Sequence, residues 1–362
     1  MNLPATQHET RDMEQCSAAP SRVIDYRDDP ELWDAYVRSH PKGCVFHLSD
    51  MLEAFSATPK HEVFARMTVS DEGRVLALLA AVRVETLSGL ASGFASRSIF
   101  YAEPICEFSN AGDAALRGLI AEHDGSMQRR TLFAEVRYIA AADWERQPLE
   151  SAGYEFADYL NYEVDTRLAS ETLFRQLGKS TRNKIRRSDK RDIDILVDTS
   201  HGGIERMYPL VCTSYDRAGI PVVDIALFHE TLDRLPAGSV QIRIARFEGQ
   251  DVAAGIGLVF RGRFFAWYGG ARRIQGLPPF DCLTWDEIRW CADHGMDCYD
   301  FGGAGWPEEE YGPRDFKAKF GGELVHYGRH RKVYRKLATT LAKQSFRIAR
   351  YATAPLGRKA VR

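Results

Sequence analysis

The feature that most constrains this chain is a succession of elements that occurs twice. Residues 62–69 and 75–87 are rich in β-formers and flank Asp71-Glu72-Gly73, while 240–247 and 252–259 flank Glu248-Gly249-Gln250 in the same manner. Each reads as a hairpin whose turn places a glycine where positive φ is wanted. Behind each hairpin come a strand (98–101 and 264–269), a helix (113–123 and 283–294) and another strand (131–139 and 297–301). Helices at 30–39 and 141–152, with a strand at 154–164, complete the first set. A basic helix at 171–190, a strand at 193–197 and helices at 204–218 and 225–235 belong to the second. A mixed sheet flanked by helices, built twice, satisfies this order, so the fold class is α/β with mixed α+β character. The duplication is one of pattern, since no residue-level repeat accompanies it.

The chain of 362 residues is long enough for two cores, with 44% hydrophobic and 27% charged residues. Its division is expected as a disordered leader at 1–21, a first domain at 22–166, a second at 167–330 and a basic C-terminal helix and tail at 331–362. The leader has neither an apolar core nor a basic start, so it is not read as a secretion signal. The 7 cysteines are odd in number and form no C-x-x-C pair, which favours a reducing compartment over a disulfide framework. No apolar run approaches the roughly 18 residues of a spanning helix. A cytoplasmic protein, at most peripheral to the inner face of a membrane, is the expectation.

Formal net charge is only -2, and no stable DNA binding is expected. The charge is uneven, however, because no acidic residue follows Glu323. Within 331–362 the apolar residues fall at roughly helical spacing. That tail is either an amphipathic helix for an anionic membrane, a segment docked on the protein itself, or a contact for RNA.

Several residues carry candidate chemistry. Lys179, Arg182, Lys184, Arg186 and Arg187 crowd one helix; Arg182 and Arg186, four apart, share a face and can grip a phosphate, or the whole run is a solvated face. Tyr268 ends the aromatic strand Phe264-Phe265-Ala266-Trp267-Tyr268, in which alternation sends Phe265 and Trp267 to one face and Tyr268 to the other. Core packing accounts for Phe265 and Trp267, whereas a polar tip beside Gly269-Gly270 suits an open cleft. Asp300 leads into Gly302-Gly303 and either handles the proton of an amine, caps the loop or pairs with Arg314. The glycines permit close approach of a ligand, or simply a tight turn. Lys317 and Lys319, two apart in an extended segment, point to one side and either neutralise an anion or face solvent. Cys291, His294 and Cys298 lack a fourth ligand, so no metal is expected. Cys282 has no neighbouring histidine and is set aside as a nucleophile.

Three stretches together resemble the FemAB-like branch of the GNAT superfamily, which includes Fem-type peptidoglycan-bridge aminoacyltransferases and polysaccharide-associated relatives. They are Lys179-Ser180-Thr181-Arg182-Asn183-Lys184-Ile185-Arg186-Arg187-Ser188; the block from Phe265 to Ala271 with Trp285-Asp286-Glu287-Ile288; and Tyr299-Asp300-Phe301-Gly302-Gly303 with Phe316-Lys317-Ala318-Lys319-Phe320-Gly321-Gly322. The likeness covers roughly residues 170 to 330. It implies tandem GNAT-like domains that transfer an acyl or aminoacyl group to an amine. Acyl-CoA or aminoacyl-tRNA would be the co-substrate, with no tightly bound cofactor and a small-molecule or lipid-linked amine as acceptor. Asp300, Tyr268 and Lys317 would then be catalytic; Lys179, Arg182, Arg186, Arg187, Lys319, Gly302 and Gly303 would bind substrate or phosphate. The chain departs from the branch in lacking a long coiled-coil insertion. The loop 272–279 also lacks the R-x-x-G-x-G/A signature that cradles CoA pyrophosphate. A non-catalytic binding module for RNA or an anionic membrane is the alternative.

Overall fold

The computed structural model describes residues 21–85, 96–189, 193–336 and 339. The first half runs β1 (Ser21–Asp25), α1 (Pro30–Ser39), α2 (Ser49–Ala57), β2 (His61–Ser70), β3 (Val75–Val84), β4 (Arg97–Phe100), β5 (Ile105–Cys106), α3 (Asn110–Met127), β6 (Phe133–Arg137), α4 (Arg146–Ser151) and β7 (Glu155–Ala157). The second runs β8 (Leu160–Asp165), α5 (Ser170–Gln176), α6 (Lys179–Asp189), β9 (Asp194–Val197), α7 (His201–Ala218), α8 (Ala226–Arg234), β10 (Val240–Phe247), β11 (Gln250–Phe260), β12 (Arg263–Ala271), α9 (Pro279–Asp293), β13 (Cys298–Gly305), α10 (Gly312–Ala318), β14 (Glu323–His326) and β15 (Arg329–Val333).

Local chemistry explains the helix starts. Asp29 accepts from Leu32 N at the head of α1, with Pro30 just inside it, and Ser109 and Ser200 cap α3 and α7 in the same way. Helix α7 stops at Gly219, whose φ of 65° is the left-handed cap that glycine adopts without strain.

Two mixed sheets result, ordered β1-β2-β3-β4-β6-β15-β7 and β14-β8-β13-β12-β11-β10-β9. Both expected hairpins are present, and in each sheet a parallel pair follows: β4 with β6, and β12 with β13. The halves trade strands. The stretch expected as one strand closing the first half breaks at residues 158–159; β7 stays in the first sheet, and β8 pairs with β13 and β14 in the second. In return β15, expected within the second domain and the tail, inserts between β6 and β7. A boundary at 166/167 therefore does not separate the sheets. The two crossings lie side by side, joined by Gly328 N–H to Tyr159 O at 3.0 Å. The leader and the tail helix lie outside the described residues, apart from Ser21, which begins β1, and residues 331–336 and 339.

One hydrophobic cluster spans the halves, taking Trp33, Met51 and Phe55 from the first and Met207, Phe228 and Ile256 from the second. Phe46 meets Phe265 edge-on at 5.1 Å across this seam.

Candidate active site

The parallel pair β12–β13 is in register for Arg263 with Cys298, Phe264 with Tyr299 and Phe265 with Asp300, and no further. Two irregularities open the strands beyond that point. On β12, Ile256 faces Tyr268 and Gly257 faces Ala266, so Trp267 is the extra residue of a bulge. The bulge resets the alternation: Tyr268 packs with Phe265 and Trp267 against the shared core instead of facing the opposite way. On β13, Gly302 takes φ of 67°, and a Cβ on Gly303 would stand 2.8 Å from the Tyr159 ring. Both glycines are required by the backbone and its neighbours.

Asp300 is fully buried. One carboxylate oxygen accepts from Gly302 N at 2.6 Å and the other from Arg263 at 2.9 Å. It thus caps the loop, and its ionic partner is Arg263; Arg314 instead donates to the carbonyls of Ala304, Trp306 and Pro307. Arg263 also holds Glu163 at 2.7 Å, and Glu163 accepts from Tyr327 at 2.9 Å. Burial pushes the Asp300 carboxyl up to about 6, against the pull of Arg263 and with a further push from Glu163. It lines a cavity of about 250 Å³ between the halves, together with Lys42, Cys44, Phe46, Arg263 and Phe265.

Lys317 does not face solvent. Its ammonium donates to Phe301 O and Gly303 O, each at 2.7 Å, and to Gly302 O at 3.3 Å. Burial lowers it to about 8 while Asp300 pulls the other way. The segment is helical (α10), so Lys319, two residues on, does not share its side; its ammonium lies 5.2 Å from the Phe316 ring centre. Asp300, Gly302, Gly303 and Lys317 therefore form one unit at the end of β13.

Tyr268 stands apart from that unit. Its hydroxyl has no hydrogen-bond partner among the described residues; burial holds it well above 10, with Tyr101 and Tyr215 adding to the effect and Arg137 and Arg97 opposing it. It looks across the seam at the first sheet. The basic helix is also placed elsewhere, on α9, and it is divided from α5 at Leu177–Gly178. Arg182 donates to Arg175 O at 2.6 Å and to Leu177 O, and Arg186 sits 5.2 Å from the Phe174 ring centre. Arg182 and Arg186 are thus engaged with α5, while Lys179 and Arg187 are exposed.

Sequence reasoning missed Glu163, Arg263 and Tyr327. It also missed a set of arginines on the first sheet: Arg97 on β4, Arg137 on β6, and Arg329 and Arg331 on β15. The register puts them on one face, since Arg329 pairs with Arg137 and Arg331 with Glu135. The period-two pattern Arg329-His330-Arg331 is the available signal, but the expected boundary at 330/331 divides it between the second domain and the tail. Among the described residues no group of three or more His, Cys, Asp and Glu can hold a metal ion, and no helix is long and apolar enough to cross a membrane.

Residues 175–318 match the family model described as an acetyltransferase (GNAT) domain. That stretch is similar to a GNAT domain. Solved structures extend the fold to most of the chain. A structure of FemX superposes with a TM-score of 0.65 at 14% identity, covering 90% of this chain and 100% of its own. The C-terminal domain of a putative lysylphosphatidylglycerol synthetase from Agrobacterium fabrum gives 0.55 at 13% identity, covering 88% and 96%. A tandem GNAT protein from the clavulanic acid biosynthesis pathway gives 0.53 at 9% identity, covering 87% and 98%. At such identities the neighbours speak for the fold, which is a tandem GNAT fold. The resemblance of the second-half motifs to the FemAB-like branch stands beside them. No curated protein matches the chain.

Proposed function

We infer that this protein transfers an acyl or aminoacyl group to an amine of a cell-envelope or polysaccharide precursor, with acyl-CoA or aminoacyl-tRNA as donor. The observation that carries the reading is Asp300. A carboxylate that lines the cavity between the halves and exchanges its proton near pH 6 suits removal of a proton from the acceptor's ammonium group, which frees the nitrogen lone pair for attack. In the reaction the amine nitrogen attacks the acyl carbon, and the bond from that carbon to the donor's sulfur or oxygen breaks. The amine's proton passes to Asp300. Tyr268, a neutral hydroxyl with no partner among the described residues, is available to protonate the leaving group. Lys317 fixes the backbone at Gly302–Gly303 and thereby the position of Asp300. Holding two substrates between two halves supplies much of the rate by itself. The neighbours named for FemX and for lysylphosphatidylglycerol synthesis support an envelope acceptor, and a peripheral membrane position would bring the protein to a lipid-linked one.

The test is Asp300→Asn, assayed with acyl-CoA and aminoacyl-tRNA donors against amine acceptors. Turnover should fall by about 10²–10⁴ with donor binding retained. Turnover at the wild-type rate would remove Asp300 as the base.

A further inference from the structure

The arginine face of the first sheet is charged beyond what its neighbours balance. Arg97, Arg137, Arg329 and Arg331 surround one buried carboxylate, Glu135, which accepts from Arg329 at 2.9 Å and from Arg137 at 3.2 Å. Arg97 and Arg331 make no hydrogen bond or ion pair among the described residues, and the Nε of each is buried without a partner. Glu155, opposite Arg331 in β7, is exposed and forms no ion pair with it. The connection 86–95, which precedes Arg97, contains no charged residue and so brings no counter-charge. Even with Glu155 counted, two positive charges remain unbalanced among the described residues.

Aromatic rings hold these guanidinium groups in place. Arg331 lies 3.7 Å from the Phe133 ring centre, Arg329 lies 3.5 Å from that of Tyr159, and Arg137 lies 5.3 Å from that of Tyr101. Stacking fixes a guanidinium plane while leaving its N–H edges free to donate. Tyr268, whose hydroxyl has no partner among the described residues, is close enough to Arg97 and Arg137 for each to feel the other's charge. Unpartnered buried donors are costly, so such a set is expected where a ligand completes it.

We propose that this face is a binding site for a phosphoryl group, and that the group belongs to the amine acceptor. A doubly charged oxyanion matches the excess charge and the fork geometry of guanidinium donors. The donor is expected on the GNAT-like domain of the second half, which leaves the first-half site to the acceptor. That last step rests on the transferase reading; the anion site itself does not.

Titration calorimetry of the full chain with inorganic pyrophosphate tests the site. Wild type should bind, and the double variant Arg97→Gln/Arg331→Gln should bind about a hundredfold more weakly. The melting temperature of the unliganded double variant should be unchanged or higher, because uncompensated like charges are removed. No binding by wild type, or equal binding by the variant, overturns the proposal, and a variant that melts lower with pyrophosphate binding intact assigns the arginines to the fold alone. Competition separates the sources. Displacement of pyrophosphate by UDP-glucosamine supports an acceptor phosphate on a soluble nucleotide, and displacement by phosphatidylethanolamine vesicles supports one on a lipid headgroup. Displacement by coenzyme A and by neither of these overturns the acceptor assignment. Loss of the transferase reading would show separately, as absent turnover with pyrophosphate binding preserved.

Discussion

Each half has one place where parallel strands part, and the two places carry opposite chemistry. In the first half β4 and β6 are paired from Ser98–Ala134 to Phe100–Val136, and in the second β12 and β13 are paired from Arg263–Cys298 to Phe265–Asp300. An acid faces an apolar side chain in each: Glu135 opposite Ile99, and Asp300 opposite Phe265. Burial pushes both carboxyls up, yet the outcomes differ. Arg329, Arg137 and Arg331 overcome burial at Glu135 and hold it below the usual range. At Asp300 the single Arg263, shared with Glu163, does not. Each half holds an acid within a short parallel pair, one residue before its end at Glu135 and at its end at Asp300, and the number of guanidinium groups around it decides whether the acid is a fixed anion or one that exchanges its proton.

The largest expected effect tests that difference directly. Glu135→Ala leaves Arg137 and Arg329 without their carboxylate and should cost about 3 kcal/mol or more in urea unfolding. Asp300→Ala leaves Arg263 its bond to Glu163 and should cost less, about 1–2 kcal/mol. Equal losses would mean that the arginines do not set the two sites apart.

The second effect concerns pH. Asp300 binds its proton more tightly folded than unfolded, with a rise from 3.8 to about 6. Its contribution to stability is therefore full below pH 4 and is lost as pH rises to about 6. A shift of that size corresponds to about 2–3 kcal/mol. Glu135 is lowered and works in the opposite sense, contributing above its unfolded value and losing that contribution as pH falls. Unfolding free energies of wild type and Asp300→Asn, measured between pH 4 and 7, should converge at low pH and separate in favour of the variant as pH rises. Parallel curves would show that Asp300 does not titrate there, and the contrast with Glu135 would fail.

The parts legible in the sequence follow the same division. Hairpins, helix caps and the doubled order depend on local patterning, and they are where the sequence indicates. Asp300 beside its glycines was also readable, because the turn and the acid are contiguous. The exchange of β8 and β15 was not, since which sheet accepts a strand depends on edges formed far away in the chain. The arginine face suffers most from this: its members come from β4, β6 and β15, and only the register brings them together. Tyr268 was sent to the wrong side because one bulge residue, Trp267, inverts everything after it. Lys317 and Lys319 were misplaced by assuming a strand where Pro313 begins a short helix.

The smallest effect separates the two arginine-rich places. Helix α6 looked like the anion site because its charges are adjacent in sequence, whereas those of the first sheet are dispersed. Yet Arg182 is already engaged, donating to Arg175 O and Leu177 O at the end of α5. A side chain that satisfies terminal helix carbonyls contributes to the fold, so Arg182→Ala should lower unfolding stability by about 0.5–1 kcal/mol. Pyrophosphate binding should be unchanged, because the unpartnered donors are Arg97 and Arg331. Calorimetry and urea unfolding on this one variant read the two quantities independently. Weakened pyrophosphate binding without loss of stability would reverse the assignment and make α6, in the second half, the place where the molecule meets its anion.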